Sequence, residues 1–329
     1  MHDDATGTSM RRWVGPAVGL AAAGTLLYAL WKGLPETLAA LRDFDWRVYP
    51  LVLALTLVNY GLRYWKWHWM LGRLGIHVPH RQNAHIFLCG LAMVISPGKA
   101  GELVKPWLVK QVTGAPLAAT VPVLFAERAT DGIAVIALTA VGASTFAAKA
   151  GFERGGEFLA VLVLGFVAFL AVLAFDPLAQ ILFAGLTRVH VRLAAAVETS
   201  WGSLRTCLSP ASLVALTLVS IVAWWAECVG CWLVLRGMGA EASLDASTFL
   251  YAGATVLGGP SPGGLGVADV ALAEGAVRLV PGLTAGASVA ASLLTRVATL
   301  WLGVGIGALL FMRLDVLTKP SEAIREGGG

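Results

Sequence analysis

The sequence predicts an all-α polytopic membrane protein, with about six transmembrane helices plus two re-entrant helical hairpins in two inverted-topology repeats. Three observations carry that prediction. Of 329 residues, 57% are apolar and 13% charged, whereas a soluble domain carries about 25% charged residues; the mean hydropathy of +0.74 agrees. Apolar runs close to the roughly 20 residues that cross a bilayer recur along the chain. Two shorter apolar runs break at Ser-Pro-Gly, at matching places in two similar halves. This composition excludes an ordinary soluble fold. It also excludes a disordered chain, which needs low hydrophobicity and high charge. Charged sequence never runs on long enough to add a soluble catalytic domain.

The elements follow in order. Arg11-Arg12 precede a first span at Val14–Trp31. The pair resembles a twin-arginine or secretory signal, but many apolar spans follow. The arginines are therefore expected to anchor a helix with its N-terminus inside. A second span, Val48–Leu62, runs into Arg63-Tyr64-Trp65-Lys66-Trp67-His68-Trp69, which reads as an interfacial belt. Ala84–Ile95 is too short to cross and breaks at Ser96-Pro97-Gly98. Long spans follow at Leu117–Thr145, Phe158–Phe175 and Leu213–Leu235. Phe249–Leu257 is again short and ends in Gly258-Gly259-Pro260-Ser261-Pro262-Gly263-Gly264, and the last span is Ala287–Phe311.

The expected organisation is 1–47 (tail, first span and loop), 48–145 (repeat 1), 146–212 (connecting span and cytoplasmic loop), 213–312 (repeat 2) and 313–329 (cytoplasmic tail). With neither short run crossing, segments 1–13, 63–116, 177–212 and the tail fall inside and hold the basic residues, Arg63, Lys66 and Lys105 among them. The outside segments, 32–47, 146–157 and 236–286, are mixed or acidic. The positive-inside rule then places both termini in the cytoplasm of a cell membrane.

Ser261-Pro262-Gly263-Gly264-Leu265-Gly266 with Asp269 repeats Ser96-Pro97-Gly98-Lys99-Ala100-Gly101-Glu102 at an offset of 165 positions (96 to 261). Arg128 and Arg296 follow in the next spans, offset by 168 (128 to 296). Three crossings separate matching spans, and an odd number inverts the copies. Inverted repeats with broken helices point to a site near the midplane. The other reading is that Ser-Pro-Gly is a common breaker that occurs twice by chance.

Ser followed by Pro reads as a helix N-cap and first turn. Each hairpin would then start a half-helix inside the membrane, whose free N–H groups favour an anion. A simple membrane turn is the alternative. With Arg63, Arg128 and Arg296 nearby, the expected substrate-binding residues are these three arginines with Ser96, Pro97, Gly98, Lys99, Gly101, Glu102, Ser261, Pro262, Gly263, Gly264 and Gly266. Glu127, Asp131, Glu227 and Asp269 would form a charge network, orienting the arginines or carrying coupling protons. Charges inside a bilayer cost about 3 kcal/mol or more, so they call for a reason. A static ion-pair network locking helices together is the alternative for Glu127, Arg128 and Asp131.

Other signals are weaker. Cys228-Val-Gly-Cys231 has redox spacing, but Cys89, Cys207, Cys228 and Cys231 all lie in or beside apolar stretches, as core residues do. His77, His80 and His85 read as loop histidines rather than a metal site. No metal and no cofactor are expected, and no basic patch calls for nucleic acid. Gly303 and Gly307 offer a close helix contact, inside the bundle or between copies in a homo-oligomer.

On Arg63–Trp67, Pro97–Glu102, Glu127-Arg128 with Asp131, Pro262–Gly266 and Arg296, the chain resembles the flippase-like membrane domain family. That family is also known as the lysylphosphatidylglycerol synthase transmembrane region. The resemblance covers about residues 45–315. It implies translocation of an anionic, modified or isoprenoid-type lipid. Some members carry a lipid-aminoacylating domain; only Arg313–Gly329 follows the last span here, so that activity is not expected. Ala268-Asp269 stands where an Arg-Glu type pair is expected, which puts a cation from the second hairpin in doubt.

The expected function is translocation of an anionic or phosphate-bearing membrane lipid, its headgroup held at the hairpin tips. An intramembrane enzyme acting on a lipid phosphate is the alternative, with Lys99, Glu102, Glu127 and Asp131 as acid–base groups. A clear nucleophile is missing, so no enzyme is expected. A secondary transporter of a small organic anion is the third option.

Overall fold

The computed structural model describes residues 33–96, 101–150 and 191–312, together with Ala160 and Leu164. The expected spans at 14–31 and 158–175, the tail from 313, and Pro97, Gly98 and Lys99 lie outside the described residues. Every regular element described is helical. After α1 (residues 33–43) come α2 (Tyr49–Arg73), α3 (His80–Ala92), α4 (Val104–Thr113) and α5 (Leu117–Ala150). Then follow α6 (Val191–Cys207), α7 (Pro210–Gly237), α8 (Leu244–Gly258), α9 (Val267–Leu279), α10 (Ala285–Arg296) and α11 (Leu302–Phe311). A π-turn, Val297–Trp301, joins the last two into one rod. Among the described residues, Pro210–Gly237 and Ala285–Phe311 are long and apolar enough to cross a membrane by length and composition.

Local chemistry sets the helix ends. Pro210 sits in the first turn of α7, where its missing N–H costs nothing. Ser243 and Thr284 start α8 and α10 by accepting from Ala246 N and Ala287 N, both at 3.2 Å. Gly114 closes α4 at φ +75°, its N–H on Lys110 O at 2.8 Å.

Each short apolar run does break. After α3, the turn Met93–Ile95 ends at Ser96, and α4 returns; after α8, the turn Pro262–Gly264 leads into α9. The two turns meet: a side chain on Gly263 would come within 3.1 Å of Ile95. Packing is reciprocal. The first helices of the two halves, α2 and α7, run together. Arm α3 of hairpin one packs on α11 of the second half, and arm α8 of hairpin two packs on α5 of the first. A glycine seats each arm. A Cβ on Gly142 would lie 2.7 Å from Phe249 N, and one on Gly307 2.7 Å from Ala92 N. These glycines are 165 positions apart (142 to 307), the offset of the Ser-Pro-Gly motifs. Gly303 presses on Tyr60, while nothing lies within 4 Å of a Cβ on Gly305. The Gly303–Gly307 contact is therefore internal.

The outer surface is apolar. Val214, Leu218, Val222 and Trp225 of α7 are exposed in one stripe at helical spacing. Cys89, Cys207, Cys228 and Cys231 are buried and free.

Candidate functional site

Two expectations need correction before the site can be built. The second span does not end at Leu62, because nothing between there and Gly72 breaks a helix; α2 continues to Arg73. The stretch Arg63–Trp69 is split by helical periodicity rather than lying together at an interface. Trp65 is exposed, whereas Arg63, Lys66 and Trp67 are buried. The second correction concerns Ser-Pro. In the second hairpin the half-helix proper does not start there, and residues 97–100 of the first lie outside the described residues. Ser96 Oγ donates to Met93 O at 2.7 Å and accepts from Gly101 N at 2.8 Å, closing the turn. Ser261 Oγ turns back to Gly258 O at 2.9 Å. In the first hairpin a helical turn at residues 101–103 runs directly into α4; in the second, α9 begins at Val267, five residues after Pro262.

In the first half, α5 carries Glu127, Arg128 and Asp131 within one turn. Glu127 accepts from Lys105 Nζ at 2.6 Å, from Arg128 at 2.5 Å and from Arg63 at 3.3 Å. Asp131 pairs with Lys66 and lies 3.4 Å from Arg128 and 3.6 Å from Arg63. Ser220 Oγ of α7 donates to Asp131 at 2.9 Å and accepts from Lys66 at 2.7 Å. Glu102, beside the hairpin turn, lies 3.7 Å from Arg128. Four cations thus share three carboxylates, and burial makes that surplus consequential.

In the second half, Asp269 of α9 does two jobs. One oxygen caps the helix by accepting from Gly266 N at 2.8 Å; the other holds Arg296 Nε at 2.8 Å. The same arginine donates to Gly263 O at the hairpin turn. Gly264, at φ +74°, lets the guanidinium pass: a Cβ there would sit 3.4 Å from its nitrogen. The cation missing from the second hairpin is supplied by Arg296 on the following helix.

Between the two halves is a cavity of about 120 Å³. Arg63, Arg128 and Arg296 line it, together with Gly263, Gly264 and Glu227. Glu227 is 2% exposed, and its one hydrogen bond among the described residues comes from Thr56 Oγ1 at 3.2 Å. Arg63 also lies over the Trp224 ring, 5.6 Å from its centroid. Arg63 Nε, Arg128 Nε and Trp224 Nε1 have no hydrogen-bond partner among the described residues. The π-turn after Arg296 redirects carbonyls, and Thr299 O there accepts from Tyr60 Oη at 3.0 Å.

Of the expected site residues, Arg63, Arg128, Glu227, Gly263, Gly264 and Arg296 meet at the cavity. Glu102, Glu127, Asp131 and Asp269 stand behind the arginines. Ser96, Gly101, Ser261, Pro262 and Gly266 shape the turns and do not line it. Lys66 and Lys105, counted with the loops, are buried in the charge cluster. The signal for Lys66 was there: it lies three residues after Arg63 on an unbroken helix, hence on the same face. Asn59, Tyr60, Tyr251 and Thr255 also line the cavity. The histidines do not converge: His80 stacks near His68 at 4.3 Å, while His85 reaches Leu310 O at 3.1 Å.

A site of buried arginines between two helical hairpins can be set beside known proteins. A UPF0104 membrane protein of Methanothermobacter thermautotrophicus is 23% identical over 309 residues, covering 86% of this chain and 88% of that protein. The family model for the lysylphosphatidylglycerol synthase TM region matches residues 12–307. With most of its length matched in this way, the chain belongs to the lysylphosphatidylglycerol synthase TM region family of membrane proteins.

Proposed function

We propose that the protein translocates an anionic, phosphate-bearing lipid across the cell membrane, binding the headgroup in the arginine-lined cavity. One observation carries this reading. Three arginines from three helices line a single cavity between the hairpin turns, backed by more cations than carboxylates. A buried surplus of positive charge is costly unless an anion joins it. Arg63 Nε and Arg128 Nε face Asp131 and Glu102 at 3.6 and 3.7 Å, beyond hydrogen-bond distance, so neither guanidinium is fully satisfied by its carboxylates. Trp224 adds an unpaired N–H at the wall. The acyl or prenyl tails stay in the bilayer against the apolar outer faces.

The topology belongs to the same proposal: six crossings, two re-entrant hairpins and both termini cytoplasmic, with the halves inverted. The reciprocal seating of α3 on α11 and α8 on α5, by glycines at the shared offset, supports it. Two halves that grip each other's hairpins can exchange access by rocking about the cavity.

The test is native mass spectrometry with lipid analysis of purified wild type, Arg128→Ala and Arg296→Ala. A charge-assisted hydrogen bond is worth about 1.5–3 kcal/mol, so each variant is expected to lose roughly 10- to 150-fold in headgroup affinity. The enriched lipid is then followed across proteoliposome membranes. Movement without a change in the lipid's mass separates translocation from enzymatic turnover. Retention of the same lipid by both variants, when folded, overturns the assignment.

A further inference from the structure

Glu227 shares the cavity with the three arginines, yet among the described residues it forms no ion pair. Among the described residues around the cavity, five cations (Arg63, Lys66, Lys105, Arg128 and Arg296) pair with four carboxylates (Glu102, Glu127, Asp131 and Asp269). Glu227 is the fifth carboxylate. Ionised, it offsets the surplus and leaves the cavity without one. A singly charged headgroup offsets the same surplus. Both together place two negative charges in a desolvated space of about 120 Å³, where like charges repel strongly.

We infer that headgroup binding requires a proton on Glu227, so that one proton is taken up with each singly charged headgroup. This rests on the anion-binding reading of the cavity and adds the coupling ion to it. The step is simple: the carboxylate accepts one proton from solvent, and no other bond changes. The geometry singles out Glu227 for this. Glu127, Asp131 and Asp269 are each held by direct ion pairs to cations of the cluster. The groups that face Glu227 from its neighbours are Arg63 and Tyr60 of α2 and Tyr251 of α8, with Arg296 of α10 across the cavity. Neither tyrosine carries charge to replace it in this exchange. Cys228 and Cys231, on its own helix, are buried in the core.

The experiment is calorimetric titration of the full chain in detergent with dihexanoyl phosphatidylglycerol. Its phosphodiester keeps a single charge across the range used. Titrations in two buffers of different ionisation enthalpy count the protons. On the alkaline side of the Glu227 titration, the expected result is uptake near one proton per lipid, with affinity falling about tenfold per pH unit. Glu227→Gln binds without uptake and without pH slope; Glu227→Asp keeps both. Flat binding with no uptake in wild type overturns the inference, as does unchanged uptake in Glu227→Gln. If the Gln variant does not fold, the wild-type proton count still decides. Glycerophosphoglycerol, the same diester without tails, separates the ligand sources. Equal binding and uptake with it support the proton linkage for a soluble anion. Failure of wild type to bind the lipid at any pH overturns the proposed function itself, and this inference with it.

Discussion

Removing a carboxylate from the charge cluster and removing a cation from it have unequal consequences. Glu127→Gln takes away an anion that is fully buried and paired with Lys105, Arg128 and Arg63. Four cations then share two carboxylates, around a group with no exposure to solvent. Breaking a buried pair by removing one partner costs about 3–5 kcal/mol, and the loss of three ion pairs, among them the sole one that Lys105 makes among the described residues, puts Glu127→Gln at the upper end. Arg128→Ala instead leaves three cations with three carboxylates. Its side chain is 30% exposed, toward the cavity. The lost attraction is partly offset by relief of cation–cation repulsion, although Glu102 loses its ion pair, so the expected cost is about 1–2 kcal/mol, below that of Glu127→Gln. The assay is unfolding in mixed detergent micelles, read by the fluorescence of buried Trp67. Arg128→Ala should stay folded and fail to bind the lipid, while Glu127→Gln should unfold early. If Arg128→Ala destabilises as much as Glu127→Gln, the surplus charge is a structural lock and not a seat for a ligand.

Three further outcomes are expected. Gly142→Ala and Gly307→Ala each destabilise by about 1–3 kcal/mol through overpacking, while Gly305→Ala, in open space, stays within about 0.5 kcal/mol; thermal melts of the three variants check this. Gly263→Ala strains a residue at φ +59° and pushes on Ile95 of the other turn, at a cost of about 1–2 kcal/mol; anion binding should weaken with it, because Arg296 rests on the Gly263 carbonyl. Cys228 and Cys231 are buried on α7 and should resist a water-soluble maleimide in the folded protein; rapid labelling without denaturant would contradict the core packing.

What could be read from the sequence depended on the range of the signal. Breaks at Ser96 and Gly258–Gly264 were legible because proline and glycine act on their own backbone. Arg128 and Arg296 were legible because charge is rare in apolar runs. The fate of Arg63, Lys66 and Lys105 was not, because a basic residue near a helix end looks alike whether it faces water or a buried carboxylate. Only the partners decide, and these come from 61 to 65 residues away for Lys66. The cavity's Tyr60, Tyr251 and Thr255 gave no signal either. They are ordinary residues of apolar helices until two halves of the chain are brought together.

The corrected hairpin geometry changes where anion affinity comes from. Had Ser261-Pro262 started the second half-helix, free N–H groups at its N-terminus would have faced the cavity. In the second hairpin, Asp269 already occupies that position by accepting from Gly266 N. A carboxylate at a helix N-terminus is itself the anion that the site favours, so a headgroup gains little there. The same Asp269 holds Arg296, and Glu102 stands toward Arg128 in the first hairpin. The helix end therefore positions a carboxylate, the carboxylate positions an arginine, and the arginine meets the ligand. Arg128 is held at 3.7 Å by Glu102 where Arg296 is held at 2.8 Å by Asp269. A headgroup that draws both arginines inward loosens the first contact more easily than the second. Cross-linking Ile95→Cys to Leu300→Cys, in the small cluster where the first hairpin turn meets the π-turn, should block translocation. Unimpaired translocation with the link in place would mean that the first hairpin turn and the π-turn do not need to part.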